Sequence, residues 1–315
     1  MDYETRFFSA GIPLAATVHI PDGGPDGSGA TGGANNVPGG GTGSSAVGSQ
    51  KYPMVILAHG YARFRNDGLD YLAKVLGENG FASLRFDHRG CGPDAANRYN
   101  LRPMTEAPHD AKCAIDYCES LPFVDRSRIG MTGISMGGIL SIIMGATDAR
   151  IKTIAPMACT ANCGESIRNS WGADADRNME ILAEDARIRA ATGASRMINR
   201  MDDIGMHNQG SYDSNVVEQL FQQGNIAYVT LESIQDLMNF NATEFVGNVR
   251  CPIFIIHGAD DGLDKRHPQR LFDMLPTGNA NKRIKIFEHV DHNIPICPNR
   301  DIVYKDLIAW FKETL

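Results

Sequence analysis

No apolar run in this 315-residue chain approaches the roughly 20 residues that would span a bilayer. Its first residues, MDYETRFFSAGIPL, also lack the basic segment followed by an apolar one that marks a secretory leader. The expectation is a soluble, cytoplasmic protein. The seven cysteines, at 91, 113, 118, 159, 163, 251 and 297, are odd in number and scattered, which argues against a disulfide scaffold and for a reducing compartment. Cys159 and Cys163 lack the second Cys or His pair that a zinc spacing needs; His289, His292 and Cys297 are the other metal candidate, and no metal is expected at either. A dinucleotide fingerprint is missing too: no G-x-G-x-x-G follows the first strands, and the glycines of 23–43 lie in a run without structure. Lysine is absent from 160–249, which holds 13 Asp and Glu against 6 Arg, while the rest of the chain balances at 24 acidic and 24 basic residues. The net charge of −7 therefore belongs to one segment. It would repel nucleic acid and disfavour a polyanionic substrate, although a solvated helical surface explains it equally well.

What is present is alternation. Short apolar, β-rich runs recur at 6–9, 15–20, 54–58, 82–86, 128–132, 153–157, 253–256 and 283–287, and several are nearly continuous in Val, Ile, Leu and Met, as in strands buried on both faces of a parallel sheet. Helix-period stretches at 67–77, 109–121, 136–147 and 301–315 separate them. The order predicts an α/β fold, a doubly wound and mostly parallel sheet of eight strands, at a length suited to one large domain. Two segments break the rhythm. Residues 21–50 are dominated by Gly, Ser, Asn and Pro and predict a flexible surface loop. Residues 160–249 contain about five helical stretches, among them SNVVEQLFQQ, with no convincing strand, and predict a helical cap inserted between 1–159 and 250–315.

The segment RIGMTGISMGGIL places Ser135 between Gly133 and Gly137, with a strand pattern entering and a helix pattern leaving. That is the G-x-S-x-G nucleophile elbow in the context it requires, in which the glycines let strand and helix approach while the turn lifts the hydroxyl above the sheet. A tight bend is the plainer alternative. A serine hydroxyl needs a histidine base and a carboxylate to orient that base. Downstream, HGADDGLD ends a buried strand with carboxylates at its C-terminal end, and EHVDHN follows the next strand, giving the order Ser, Asp, His.

With AHGY after the third strand, FDHRGCG after the fourth, GISMGG after the fifth, HGADD after the seventh and VDHN after the eighth, the chain resembles the α/β-hydrolase superfamily of serine hydrolases, an esterase or prolyl-oligopeptidase-like core. The resemblance covers nearly everything outside the Gly-rich loop, and the cap only by position. It implies Ser135 as nucleophile, Asp261 as acid and His292 as base, with the backbone N–H groups of Tyr61 and Met136 as oxyanion hole. Asp260 and Asp264 are the alternatives to Asp261, and His289 to His292. The Tyr61 hydroxyl could also reach the oxyanion or be only an aromatic wall.

His59 and His257 end strands beside glycines, and the expectation for both is a structural role with hydrogen bonds to nearby backbone; Asp87, His88 and Arg89 should brace the loop after the fourth strand. Trp171 and Trp310 suit pocket and core. The methionines at 179, 197, 201, 206 and 238 suit either an adaptable pocket or helix interfaces. The resemblance implies hydrolysis of an ester, lactone or thioester of a largely apolar small molecule through an acyl-enzyme, with no cofactor, no nucleic-acid partner and a homo-oligomer left open. Its alternatives are a carbon–carbon bond hydrolase, an acyltransferase, a peptidase and a non-catalytic ligand-binding protein. A dehalogenase or epoxide hydrolase would want Asp, and a dienelactone hydrolase Cys, where Ser135 stands.

Overall fold

The computed structural model describes residues 1–21, 50–92, 100–199, 204, 228–278 and 281–315. Its strands in chain order are β1 (Asp2–Ser9), β2 (Ile12–His19), β3 (Tyr52–Ala58), β4 (Ala82–Phe86), β5 (Val124–Ile134), β6 (Ile151–Met157), β7 (Met197–Asn199), β8 (Tyr228–Thr230), β9 (Ile253–Gly258) and β10 (Lys282–Phe287). Eight form one sheet in the order β1-β2-β4-β3-β5-β6-β9-β10, in which only β2 runs against the others. Each of the eight β-rich runs thus falls on a strand of this sheet. The boundaries differ most where polar residues continue an extended chain. β1 starts at Asp2, and β5 starts at Val124, with a register shift against β3 between Tyr52 and Met54. Ala10 and Gly11, both at positive φ, make the two-residue turn that joins β1 to β2.

The helices are α1 (Leu69–Glu78), α2 (Ala107–Ser120), α3 (Met136–Thr147), α4 (Cys163–Trp171), α5 (Ala175–Thr192), α6 (Leu231–Met238), α7 (Arg266–Met274) and α8 (Arg300–Thr314). Alternate residues of β3 serve opposite faces of the sheet. Met54, Ile56 and Ala58 join a core with α2 and α3, whereas Val55 and Leu57 pack with Leu69, Leu72 and Leu76 of α1 and Val303, Leu307 and Phe311 of α8. Covering both faces explains why these strands read as unbroken apolar runs. Trp310 is buried in the second core beside Phe254; Trp171 is buried too, its indole N–H donating to the Ile204 carbonyl.

Between β6 and β9 the described residues hold α4, α5, α6 and, contrary to the strand-free expectation, a two-stranded antiparallel ribbon of β7 with β8. Strands of three residues are too short to show a period of two, so the pairing was invisible in sequence. The stretch SNVVEQLFQQ and residues 22–49 of the Gly-rich segment lie outside the described residues. α7 carries no apolar stripe in the sequence because it is short and strongly polar, burying only His267, Pro268 and Leu271. None of the helices among the described residues is long and apolar enough to cross a membrane.

Candidate active site

β5 and β3 lie side by side in parallel at the middle of the sheet, and the turn after β5 carries Ser135. Ser135 has φ 56° and ψ −114°, a conformation that costs a side-chain-bearing residue of order 1–3 kcal/mol and persists only where the surroundings enforce it. The enforcement is visible. Its N–H donates to Met157 O (2.9 Å) on β6, and its carbonyl receives the N–H of Ile139 (3.1 Å) as α3 begins. A Cβ at Gly137 would stand 2.1 Å from Ala58 O, and one at Gly133 2.5 Å from Gly137 O and 2.6 Å from Ala58 O. Three backbones meet there with no room for a methyl group. Ser135 is half-buried while Gly133, Ile134, Met136 and Gly137 around it are buried, so the turn leaves its side chain the most accessible of the five.

The loop after β3 runs beside it: a Cβ on Gly60 would lie in ordinary contact, 3.6 Å from Ser135 Cβ and 3.5 Å from Ile134 O. Ala62 follows at φ 57°. Met136, as first residue of α3, has an N–H without an intrahelical acceptor. The Tyr61 hydroxyl is committed elsewhere. Ser233 of α6 gives its own proton to Leu101 O, so its Oγ accepts from Tyr61 at 2.7 Å, which leaves Tyr61 as a wall between this loop and the insert. The neighbouring Arg63 bonds Asp67 through Nε (2.6 Å) and Asn293 Oδ1 through Nη2 (2.9 Å), reaching the residue next to His292.

Beyond β9 and β10 two loops are laced together. Ala259 N donates to Phe287 O (2.8 Å) and Asp260 N to Val290 O (3.0 Å), and a Cβ on Gly258 would strike Val290 O at 2.1 Å. This lacing sorts the rivals. Asp260 and His289 turn outward, 60% and 84% exposed and 4.0 Å apart, and Asp264 pairs in solvent with Arg266. Asp261, wholly buried, and His292, nearly so, turn inward: His292 Nδ1 lies 3.1 Å from Asp261 Oδ1 and 3.0 Å from Oδ2. Leu263 N also donates to Oδ1 (2.8 Å). Burial alone would raise the Asp261 pKa, but the His292 ring, then His257 and the Leu263 N–H outweigh it and hold the carboxyl below its ordinary value. Among the described residues no hydrogen bond joins the Ser135 hydroxyl to the His292 ring. The structure thus pairs the expected acid and base and forms the strained turn, without closing the link between them.

The remaining histidines divide. His59 is structural as expected: its Nε2 accepts from His88 N (3.1 Å), so Nδ1 carries the proton and donates to Gly60 O (2.8 Å). His257 departs from expectation, because neither of its buried ring nitrogens has a hydrogen-bond partner. Its neighbour is instead the Asp261 carboxylate, 3.6 Å from Nε2. Sequence could not reveal this, since a strand-end His looks alike whether it faces backbone or an acid. Asp87 and Arg89 brace as expected, Asp87 accepting from the backbone and guanidinium of Arg65, and Arg89 bonding the buried Asp110. Of the metal candidates, His289 is exposed, Cys297 is buried with its thiol toward His289 O, and the buried Cys159 thiol is pushed up to about 12 by desolvation.

A mostly parallel eight-stranded sheet with a strained serine turn after β5 and a buried Asp–His pair after β9 and β10 defines an α/β-hydrolase fold. Residues 49–296 match the model of the Hydrolase_4 family, described as serine aminopeptidase, S33, and the chain belongs to that family of α/β-hydrolase enzymes. It is 25% identical over 253 residues to an uncharacterized 31.7 kDa protein of the traX-finO intergenic region of Escherichia coli, covering 78% of this chain and 84% of that one. Among solved structures it is similar to DcsB in complex with its substrate analogue (TM-score 0.76, 17% identity, 100% of both chains). It is also similar to a soluble variant of monoglyceride lipase from Saccharomyces cerevisiae (TM-score 0.69, 16% identity, 98% and 94%). At these identities the two structures bear on the fold alone.

Proposed function

We propose that the protein is a serine hydrolase that cleaves a carboxylic ester, lactone or thioester of a largely apolar small molecule, with 160–249 acting as a helical cap. Ser135 attacks the acyl carbon, His292 takes its proton and returns it to the leaving group, and Asp261 fixes the imidazole tautomer through Nδ1–H. The N–H groups of Tyr61 and Met136 stabilise the tetrahedral oxyanion. Water, activated by the same histidine, then hydrolyses the acyl-enzyme. The observation that carries this reading is the wholly buried Asp261 carboxylate hydrogen-bonded to His292 beyond a sheet whose central turn holds Ser135 in strain. The Ser135–His292 hydrogen bond is expected to form in the substrate complex, as such bonds are often long or absent without substrate.

The family's aminopeptidase description supports a second reading, hydrolysis of an amino-terminal peptide bond by the same residues. The two separate in one experiment: fluorophosphonate labelling with p-nitrophenyl esters of rising acyl length beside aminoacyl p-nitroanilides, on wild type, Ser135→Ala and His292→Ala. Wild type should label and turn over esters, and both variants should fall by about 10⁶ in kcat, because members of such a unit fail together. Anilide turnover above ester turnover would move the reading to peptidase. Wild-type activity in Ser135→Ala would end both.

A further inference from the structure

His257 is the last side-chain-bearing residue of β9, four residues before Asp261, and is wholly inaccessible. Burial lowers its pKa, so the ring is neutral at pH 7 and carries one proton on one of two nitrogens. The Asp261 carboxylate lies 3.6 Å from His257 Nε2, and neither ring nitrogen has a hydrogen-bond partner. Asp261 Oδ1 already receives Leu263 N–H, and both oxygens lie within reach of His292 Nδ1. A wholly buried carboxylate has about four lone-pair sites to satisfy, and Oδ2 has the fewest donors. A bare Nε2 would turn its lone pair on that oxygen, which low polarity around it makes costly.

We infer that His257 is a positioning residue: as the neutral Nε2–H tautomer it turns its N–H dipole on Asp261 Oδ2 across 3.6 Å, beyond hydrogen-bond length, and holds the carboxylate in the plane from which Asp261 meets His292. This rests on the proposed roles of Ser135, Asp261 and His292. Asp261 thereby stands between two imidazoles, one that takes and returns the serine proton and one that stays neutral. Burial opposes protonation of His257 most strongly; Asp261 favours it, and His292, His267 and Lys265 act in the same direction as burial, so the net effect is to lower its pKa. Holding His257 neutral keeps a second positive charge away from His292 when it takes the serine proton.

Two amides test this, because Gln places its NH₂ near the position of Nε2 and Asn near that of Nδ1. Rates are taken per active site titrated with fluorophosphonate, over the pH range of the acid limb of kcat/KM. His257→Gln should stay within about threefold of wild type in kcat, and its acid limb should not move. His257→Asn should lose about 10–100-fold in kcat with KM nearly unchanged, as for a displaced group acting only in the transition state. The acid limb of His257→Asn should move to higher pH, since Asp261 without that N–H dipole concentrates its charge on His292. His257→Leu should behave as His257→Asn. Equal activity of the Gln and Asn variants, whether high or low, or an acid limb fixed in all variants, would overturn the proposal. If the underlying roles are wrong, Asp261→Asn will instead keep wild-type turnover, an outcome separate from any ranking of the His257 variants.

Discussion

The two halves of the candidate site are held by different physics. At the elbow, Ser135, Gly133, Gly137 and the Ala58 carbonyl are fixed by contact: backbones meet at distances that exclude a single methyl group. At the loops after β9 and β10, Asp261 and His292 are fixed by charge and hydrogen bonds, with the carboxylate buried among donors. The first half should resist pH and fail with one added carbon; the second should accept isosteric change in shape and fail when its charges change. The loop 59–63 joins them, with Gly60 beside Ser135 and Arg63 bonded to Asn293.

The largest effect expected from breaking this contrast is at Gly137. Gly137→Ala must move β3 or α3 away from a Cβ that would sit 2.1 Å from Ala58 O, so unfolding in urea should show a loss of about 3 kcal/mol, together with loss of fluorophosphonate labelling. A variant that unfolds like wild type and still labels would refute the steric account. A smaller effect is expected at the joining loop, where Tyr61→Phe removes one buried neutral hydrogen bond and should cost about 1 kcal/mol, while Ser233→Ala removes that bond and the one to Leu101 O and should cost about 2 kcal/mol. The double variant should cost little more than the Ser233 single variant if the shared bond is what matters, and simple additivity would show that it is not.

The smallest effect is electrostatic, because burial offsets much of what His292 contributes to Asp261. The folded-state pKa of Asp261 lies below its unfolded value, so its contribution to stability is fully present above the ordinary carboxylate value of about 4 and is lost as pH falls through the folded value. The stability gap between wild type and Asp261→Asn should therefore narrow on acidification below about pH 4. A gap that stays constant would mean that Asp261 titrates alike in both states.

Much of the architecture was legible because its signals are local. The central strands of the main sheet announced themselves as short apolar runs, since helices cover both faces there, whereas the edge strands β1 and β10 keep exposed polar residues. The elbow was legible for a related reason, as strand, glycine, serine, glycine and helix follow one another within a few residues. The β7–β8 ribbon and α7 escaped, one too short for a period and the other too polar for an apolar stripe. The tie from Tyr61 to Ser233 spans 172 residues and involves two hydroxyls of ordinary type, so no pattern could announce it.

By itself, then, the sequence determined the strand and helix alternation, the place of Ser135 in a strained turn and the small set of carboxylates and histidines that could serve it. Only the tertiary structure shows which of them are buried and paired. Asp260 and Asp261 are adjacent and chemically identical, as nearly are His289 and His292, and successive side chains in a loop differ chiefly in direction. The bond from Asp260 N to Val290 O and the close approach at Gly258 set that direction, turning Asp261 and His292 toward each other out of water and leaving Asp260 and His289 in it. The same packing set His257 against Asp261, because burial is a property of the whole assembled fold and no stretch of chain carries it alone.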